Sequence, residues 1–289
     1  MKILVLGSTG MLGHVVSQYF FERQYEVLKT TRKSNDPLYF DVEKDIKQLD
    51  KIVEQTKPDV VINCIGILNQ QAEENKPLAI VANSLLPHYV DKLSEKYNFK
   101  FIHISTDCVF SGKIGNYTEE SFQDATSFYG RSKALGEINN DRSVTLRTSI
   151  IGPDINEKGI GLFNWFMKQT GEVQGFTNVI WTGVTTVELA KQIEFAIKQD
   201  LKGLYNVVNG NTIDKYSLLQ LFKEKFNKEI NIVPNGEQVS KKTLLPSQKC
   251  HFDIPSYELM IEEMKIWIRE HQDLYESRYL NKGEISLWK

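Results

Sequence analysis

A chain of 289 residues, 41% hydrophobic and 25% charged, can bury roughly three quarters of the surface of its unfolded form and needs no disulfide to hold its core. A formal net charge of −2 argues against nucleic acid as the main partner, and three widely spaced cysteines (Cys64, Cys108, Cys250) suggest neither a disulfide framework nor a zinc site, so free thiols and no metal are expected. The opening apolar run is too short for a signal peptide and no later run reaches the ~18 apolar residues of a membrane span, which points to a soluble, cytoplasmic protein with no membrane partner.

The first half alternates short apolar runs with longer amphipathic stretches. Residues 3–6 predict a strand, 11–22 a helix, 25–31 a second strand and 38–40 a short third. Residues 42–55 predict a helix with apolar positions at Ile46, Leu49, Ile52 and Val53, ended by Pro58. A strand at 60–62, one long helix over 77–97, a strand at 100–104, a helix over 128–139 and a strand at 144–147 follow. Strand and helix in this rhythm mean βαβ units with right-handed crossovers, hence an α/β fold with a doubly wound parallel (Rossmann) sheet. From about residue 149 the pattern loosens: helices are expected over 161–170, 185–199, 214–226 (capped by Asp214) and 255–271, with strands at 204–208 and 230–233.

The first strand runs into Gly7-Ser8-Thr9-Gly10-Met11-Leu12-Gly13, a G-x-x-G-x-x-G turn that opens a helix. In that context the first glycine permits the turn, the second admits a pyrophosphate, and the third lets the helix pack on the strand, with free N–H groups facing the phosphates. Strand two ends Thr30-Thr31-Arg32-Lys33, with no carboxylate to hold a ribose 2′-OH and two cations suited to a 2′-phosphate, so NADP(H) is expected in preference to NAD(H). Asp41 and Val42 follow the third strand, where Asp41 either accepts from an adenine amino group or caps the next helix. Cys64, Ile65 and Gly66 follow the fourth, at the same edge, where small residues let a ribose pass. The expected division is a dinucleotide-binding Rossmann domain over 1–150 plus returning segments from about 178–208, a smaller mixed substrate-binding cap over 151–177 and 209–280, and a tail over 281–289 in which Trp288 could anchor the end.

Tyr129 and Lys133 form a Y-x-x-x-K on one helix face. The lysine ammonium is expected to lower the phenol pKa, giving a proton donor for a carbonyl that receives hydride. Thr106, at the C-terminal end of a sheet strand, offers a hydroxyl to the same oxygen.

Together these features resemble the extended short-chain dehydrogenase/reductase superfamily over nearly the whole chain. Within it, Ser-Thr-Asp-x-Val-Phe-x-Gly at 105–112, Tyr-Gly-x-Ser-Lys-x-x-Gly-Glu at 129–137 and Leu-Arg-Thr-Ser at 146–149 are similar to dTDP-4-dehydrorhamnose reductases. The resemblance implies that Thr106, Tyr129 and Lys133 are the catalytic set, that Tyr129 and Lys133 lie at the nicotinamide ribose, and that Asn83 is the asparagine used beside the lysine. The substrate-facing set is then Thr106, Asp107, Val109 and Trp181, with Trp181 either stacking on a base or sugar or packing in the core. Arg147 either meets substrate or pairs with an internal carboxylate, and Lys241, Lys242 and Lys249 either face a diphosphate or form a solvated loop. Relatives that dehydrate carry Asp and Glu after the threonine, whereas this chain has Asp107 and Cys108, so the resemblance implies reduction. Relatives carry Arg-Pro-Thr before the helix that begins near residue 185, and this chain has Gly183-Val184-Thr185. The implied activity is NADPH-dependent reduction of a 4-keto 6-deoxy nucleotide-sugar for a surface polysaccharide, in a chain that could form a homodimer. The alternatives are an epimerase with tightly held cofactor and a non-catalytic, nucleotide-sensing regulatory subunit like that of methionine adenosyltransferase.

Overall fold

The computed structural model describes residues 1–33, 35–275, 278 and 279. The expected tail over 281–289, with Trp288, lies outside the described residues. The first half comprises β1 (Lys2–Leu6), α1 (Gly13–Glu22), β2 (Glu26–Lys29), α2 (Gln48–Thr56), β3 (Val60–Asn63), α3 (Asn69–Glu74), α4 (Lys76–Ala79), a π-helical segment (Ile80–Leu85), α5 (Leu86–Tyr97), β4 (Lys100–Thr106), α6 (Phe128–Ala134) and β5 (Val144–Thr148). The second half comprises β6 (Ile150–Ile151), α7 (Leu162–Lys168), β7 (Glu172–Phe176), β8 (Val179–Trp181), β9 (Val184–Thr185), α8 (Thr186–Lys198), β10 (Gly203–Asn206), β11 (Ile213–Asp214), α9 (Lys215–Lys225), β12 (Asn231–Asn235), β13 (Ser240–Lys241), α10 (Tyr257–Glu270) and α11 (Gln272–Tyr275).

Side-chain alternation sets the layers. In β1, Ile3 and Val5 enter one apolar cluster and Leu4 and Leu6 the other, so the strand is covered on both faces. The first cluster packs α1, α8 and α10 on the sheet, and the second packs α2 and α5 on the opposite face. The sheet order is β10-β5-β4-β3-β1-β2 with every pairing parallel. The chain therefore winds outward in both directions from β1 and β3, and the crevice at their C-terminal ends is the topological switch point where such sheets bind ligands. The glycine-rich turn follows β1 and the Cys64-Ile65-Gly66 segment follows β3, so both lie at that crevice.

Three expectations are corrected. Residues 38–40 do not form a sheet strand: a single bridge, Thr31 to Tyr39, extends β2 after Pro37, too short a run for a ladder. The helix expected from residue 42 begins at Gln48, because the Asp41 and Asp45 carboxylates accept from the Glu43 and Lys47 amides and hold local turns in place of helix. The long helix over 77–97 is interrupted by the π segment that carries Asn83. Asp214 does cap α9, accepting from the Ser217 amide at 2.8 Å.

In the second half, β10 returns to the main sheet beside β5, whereas β8 joins β11 and β13 in a small separate sheet. The segment after β4 runs alongside residues 240–245, with the Tyr117 amide donating to the Thr243 carbonyl at 2.9 Å, which brings Lys241 and Lys242 to the end of β4. No helix among the described residues is long and apolar enough to cross a membrane.

The C-terminal helices are tied to the glycine-rich turn by a buried chain. His14 Nδ1 donates to the Gly10 carbonyl and Nε2 accepts from Tyr275 Oη, each at 2.9 Å, while Tyr275 Oη accepts from Trp267 Nε1 at 3.0 Å. Burial, only partly offset by the Gly10 bond, lowers the His14 pKa from 6.5 to about 4, with the His271 and Arg278 charges adding to the fall. Between about pH 4 and 6.5 the unfolded chain binds a proton that the native chain does not, so stability falls as pH drops through that window, by about 3 kcal/mol in all. Replacing His14 with Gln should flatten the dependence of urea-unfolding free energy on pH between those limits.

Candidate functional site

The glycine turn has the backbone that its sequence requires. Gly7 has φ +77°, in the left-handed region, and a Cβ there would lie 2.9 Å from Ile65 Cγ1, so this turn and the β3 end are in contact. A Cβ on Gly13 would collide with the Gly7 carbonyl, whereas one on Gly10 would meet only that oxygen at 3.4 Å, leaving its other side open to a ligand. Thr9 and Gly10 are exposed, Met11 is half-buried and Leu12 is in the core. Ser8 Oγ donates to the Thr30 carbonyl at 2.9 Å, pinning the turn to the end of β2. Beyond Thr31, Arg32 and Lys33 are exposed and, among the described residues, form no ion pair. Asp41 is half-buried and Val42 lies in the second core. Gly66 would carry a Cβ without obstruction, its nearest neighbour being Asn83 Oδ1 at 3.6 Å. The Cys64 thiol faces Lys133 and is pushed up to about 12 by burial, so it stays protonated.

Helix α6 carries Tyr129 and Lys133 to the end of β4. Its first turn is capped twice: Ser127 Oγ accepts from the Gly130 amide at 3.1 Å, and the Glu73 carboxylate of α3 accepts from the Phe128 amide at 2.6 Å. Gly130 lets the helix lie against the strand end, since a Cβ there would collide with the Cys108 carbonyl. Thr106, Asp107, Tyr129 and Lys133 are all buried. Thr106 Oγ1 donates to Asp107 Oδ1 and accepts from the Cys108 amide, both at 3.2 Å. Lys133 Nζ donates to the Ile104 carbonyl at 2.7 Å.

The electrostatics differ from expectation. Burial raises the Tyr129 phenol above its ordinary value, with a hydrogen bond to Thr106 pulling partly against it, and Lys133 is not among the groups that shift it. Burial lowers Lys133 to about 8, against the pull of Glu137 and Cys64. Both shifts have one cause: in this dry pocket the charged form of each group is disfavoured more than a neighbour one helical turn away can offset. Burial likewise raises the Asp107 carboxyl, opposed by Lys242 and Lys215.

Five other candidate residues are placed as follows. Asn83 is fully buried and its amide is consumed: Oδ1 accepts from the Ile67 amide and Nδ2 donates to the Ile67 carbonyl, both at 2.9 Å, and to Ser132 Oγ at 3.0 Å. It clamps the loop after β3 onto α6, and none of these hydrogen bonds goes to Lys133. The Val109 side chain is buried with Phe110, Tyr117, Val208 and Leu244. Trp181 is 3% exposed against Tyr257, so of its two expected roles it takes core packing, with the Lys215 ammonium 4.9 Å from its ring centroid. Arg147 pairs internally: Nε and Nη2 donate to the Glu137 carboxylate at 2.8 and 2.6 Å, and Lys249 pairs with Glu120 at the surface.

Glu137 and Lys215 were missed. Glu137 lies three residues past the end of α6, within the 129–137 motif, which could have flagged it. It also accepts from Ser105 Oγ at 2.5 Å and from Gln123 Nε2, so one buried carboxylate joins the segment after α6 to β4 and β5. Nothing in the local sequence marks Lys215, which the packing of α9 brings to this site.

The model of the family described as RmlD substrate binding domain matches residues 1–247. The chain is 25% identical over 253 residues, 85% of it and 87% of the relative, to spore coat polysaccharide biosynthesis protein SpsK of Bacillus subtilis (strain 168). It is 24% identical over 241 residues, 78% of it and 72% of the relative, to methionine adenosyltransferase 2 subunit beta of Xenopus tropicalis. Among solved structures it is similar to dTDP-4-dehydrorhamnose reductase from Bacillus anthracis str. Ames in complex with NADP, with a TM-score of 0.80, 22% identity and coverage of 92% of this chain and 99% of that one.

The buried Glu137–Arg147 pair should reveal itself on truncation. Arg147→Met leaves an uncompensated buried carboxylate and should cost about 3–5 kcal/mol in urea unfolding, and adding Glu137→Gln should recover part of that loss.

Proposed function

The chain belongs to the RmlD substrate binding domain family, and on that premise we propose that it is an NADPH-dependent reductase of a 4-keto 6-deoxy nucleotide-sugar, in a pathway that makes a surface polysaccharide. One observation carries the reading: Thr106, Tyr129 and Lys133 converge, buried, at the end of β4, on the same sheet edge as the glycine turn. The NADP named with the Bacillus anthracis structure and the polysaccharide named with SpsK support it.

The residues present fit a phosphorylated dinucleotide. Gly10 is open to a pyrophosphate at the start of α1, and exposed Arg32 and Lys33 suit a 2′-phosphate. The loop from Cys64 to Gly66 lines the ribose path. When bound, the reduced nicotinamide supplies hydride to the ketone carbon. Tyr129 delivers the matching proton to the ketone oxygen, making the alcohol. Its raised pKa keeps the phenol protonated across the neutral range, the form a proton donor needs. Thr106 Oγ1 turns its proton from Asp107 to the ketone oxygen and orients it. Lys133, fixed by the Ile104 carbonyl, donates to the cofactor ribose, and Glu137 helps keep that lysine charged.

The similarity to methionine adenosyltransferase 2 subunit beta favours a second reading, a non-catalytic nucleotide-binding subunit. One assay separates the two. Purified protein is incubated with NADPH and a panel of dTDP-, UDP- and GDP-linked 4-keto sugars, and nicotinamide absorbance is followed. The first reading predicts NADPH consumption with at least one substrate and, as Lys133 loses its proton, a decline in kcat/KM above about pH 8. No consumption with any of them, together with co-purification of a separate enzyme, would favour the second.

A further inference from the structure

Two ammonium groups from the second half of the chain stand beside the end of β4, and among the described residues neither forms an ion pair with a carboxylate. Lys215, the first residue of α9, places Nζ over the buried Trp181 ring. That ring is held in place by Tyr257, 5.7 Å away between centroids, and by Gly183, where any Cβ would collide with the indole. Lys242 places Nζ 3.6 Å from Cys108 Sγ. Its stem is seated by Gly112, which has φ +81° and whose Cβ would lie 2.8 Å from Lys242 Cγ. Both ammonium groups act on Asp107, next to Thr106, from opposite elements. The Cys108 thiol, pushed up to about 12 by burial, stays neutral and offers neither lysine a counter-charge.

Asp107 only partly offsets the burial of Lys215, and two cations facing one carboxylate leave positive charge that a ligand can complete. Burial brings Lys215 down to about 8, so it still carries charge at neutral pH. We infer that Lys215 and Lys242 form an oxyanion clamp that binds a negatively charged group of the substrate next to the Thr106–Tyr129 centre. The inference rests on the proposed function for the identity of that centre. The shared chemistry is a pair of anionic oxygens, from either the diphosphate that links sugar to nucleoside or a carboxylate on the sugar. The Gly183-Val184-Thr185 departure fits this arrangement, because only glycine leaves room for the indole that faces Lys215.

The test titrates UDP, inorganic pyrophosphate, glucuronate and uncharged uridine by calorimetry into full-length protein saturated with NADP. Wild type is compared with Lys215→Met, Lys242→Met and Lys215→Arg, each checked for folding by thermal melting. The expected result is a loss of about tenfold or more in affinity for at least one anion in each Met variant. NADP and uridine affinities should be unchanged, and Lys215→Arg should stay close to wild type. A loss confined to UDP and pyrophosphate identifies the diphosphate as the source, and one confined to glucuronate identifies a sugar carboxylate. Anion affinities that are undetectable in wild type, or unchanged in the folded Met variants, overturn the inference. If the clamp titrates as expected but no keto sugar is reduced, the proposed function fails and the clamp stands.

Discussion

The site depends on how closely helix α6 lies against the end of β4 and the π segment. Gly130 has no room for a Cβ under the Cys108 carbonyl, and Gly136 has none under the Asn83 carbonyl. These two contacts fix the start of the helix and the turn that follows it. Between them Tyr129 is held near Thr106 and the Lys133 ammonium reaches the Ile104 carbonyl of the neighbouring strand. Asn83 adds the third point of attachment through Ser132 and ties the loop after β3, the π segment and α6 together. The crevice needs this rigidity because two side chains must meet one carbonyl group within hydrogen-bond reach.

Burial sets the chemistry of these groups. The same exclusion of water raises the phenol and lowers the ammonium, and it keeps the Cys64 and Cys108 thiols protonated. A dry pocket of this kind cannot hold unbalanced charge cheaply. Glu137 meets Arg147 in a two-point ion pair that also receives Ser105, and this pair ties the segment after α6 to β5. Among the described residues, Lys215 and Lys242 form no such two-point pair and share only the charge of Asp107. The contrast between a compensated pair behind the helix and partly compensated lysines in front of it gives the site a direction, with structure on one side and ligand on the other.

The readable parts were those written in local spacing. A glycine turn between a strand and a helix, and a tyrosine four residues before a lysine, carry their geometry with them, and the parallel sheet followed from the strand–helix rhythm. What stayed hidden depends on distant segments. Val109 and Trp181 look like candidates for substrate contact until Leu244 and Tyr257, far along the chain, bury them. Asn83 reads as a partner for the lysine, yet its amide is spent on the Ile67 backbone. The direction of the Tyr129 shift could not be foreseen either, because the charge of Lys133 is visible in a motif while the loss of water around the phenol is not. Strands of two or three residues such as β6, β8 and β9 have too few positions to show a period, and their existence depends on the segments they pair with.

The central claim is that the buried, neutral phenol of Tyr129 delivers the proton, and removal of its hydroxyl alone tests this most directly. In a Tyr129→Phe protein, NADPH affinity is measured by nicotinamide fluorescence and turnover is measured with whichever keto sugar the wild type reduces. The account predicts cofactor affinity near wild type and a loss of turnover of about 10²-fold or more. Wild-type turnover in a variant that still binds NADPH would contradict it.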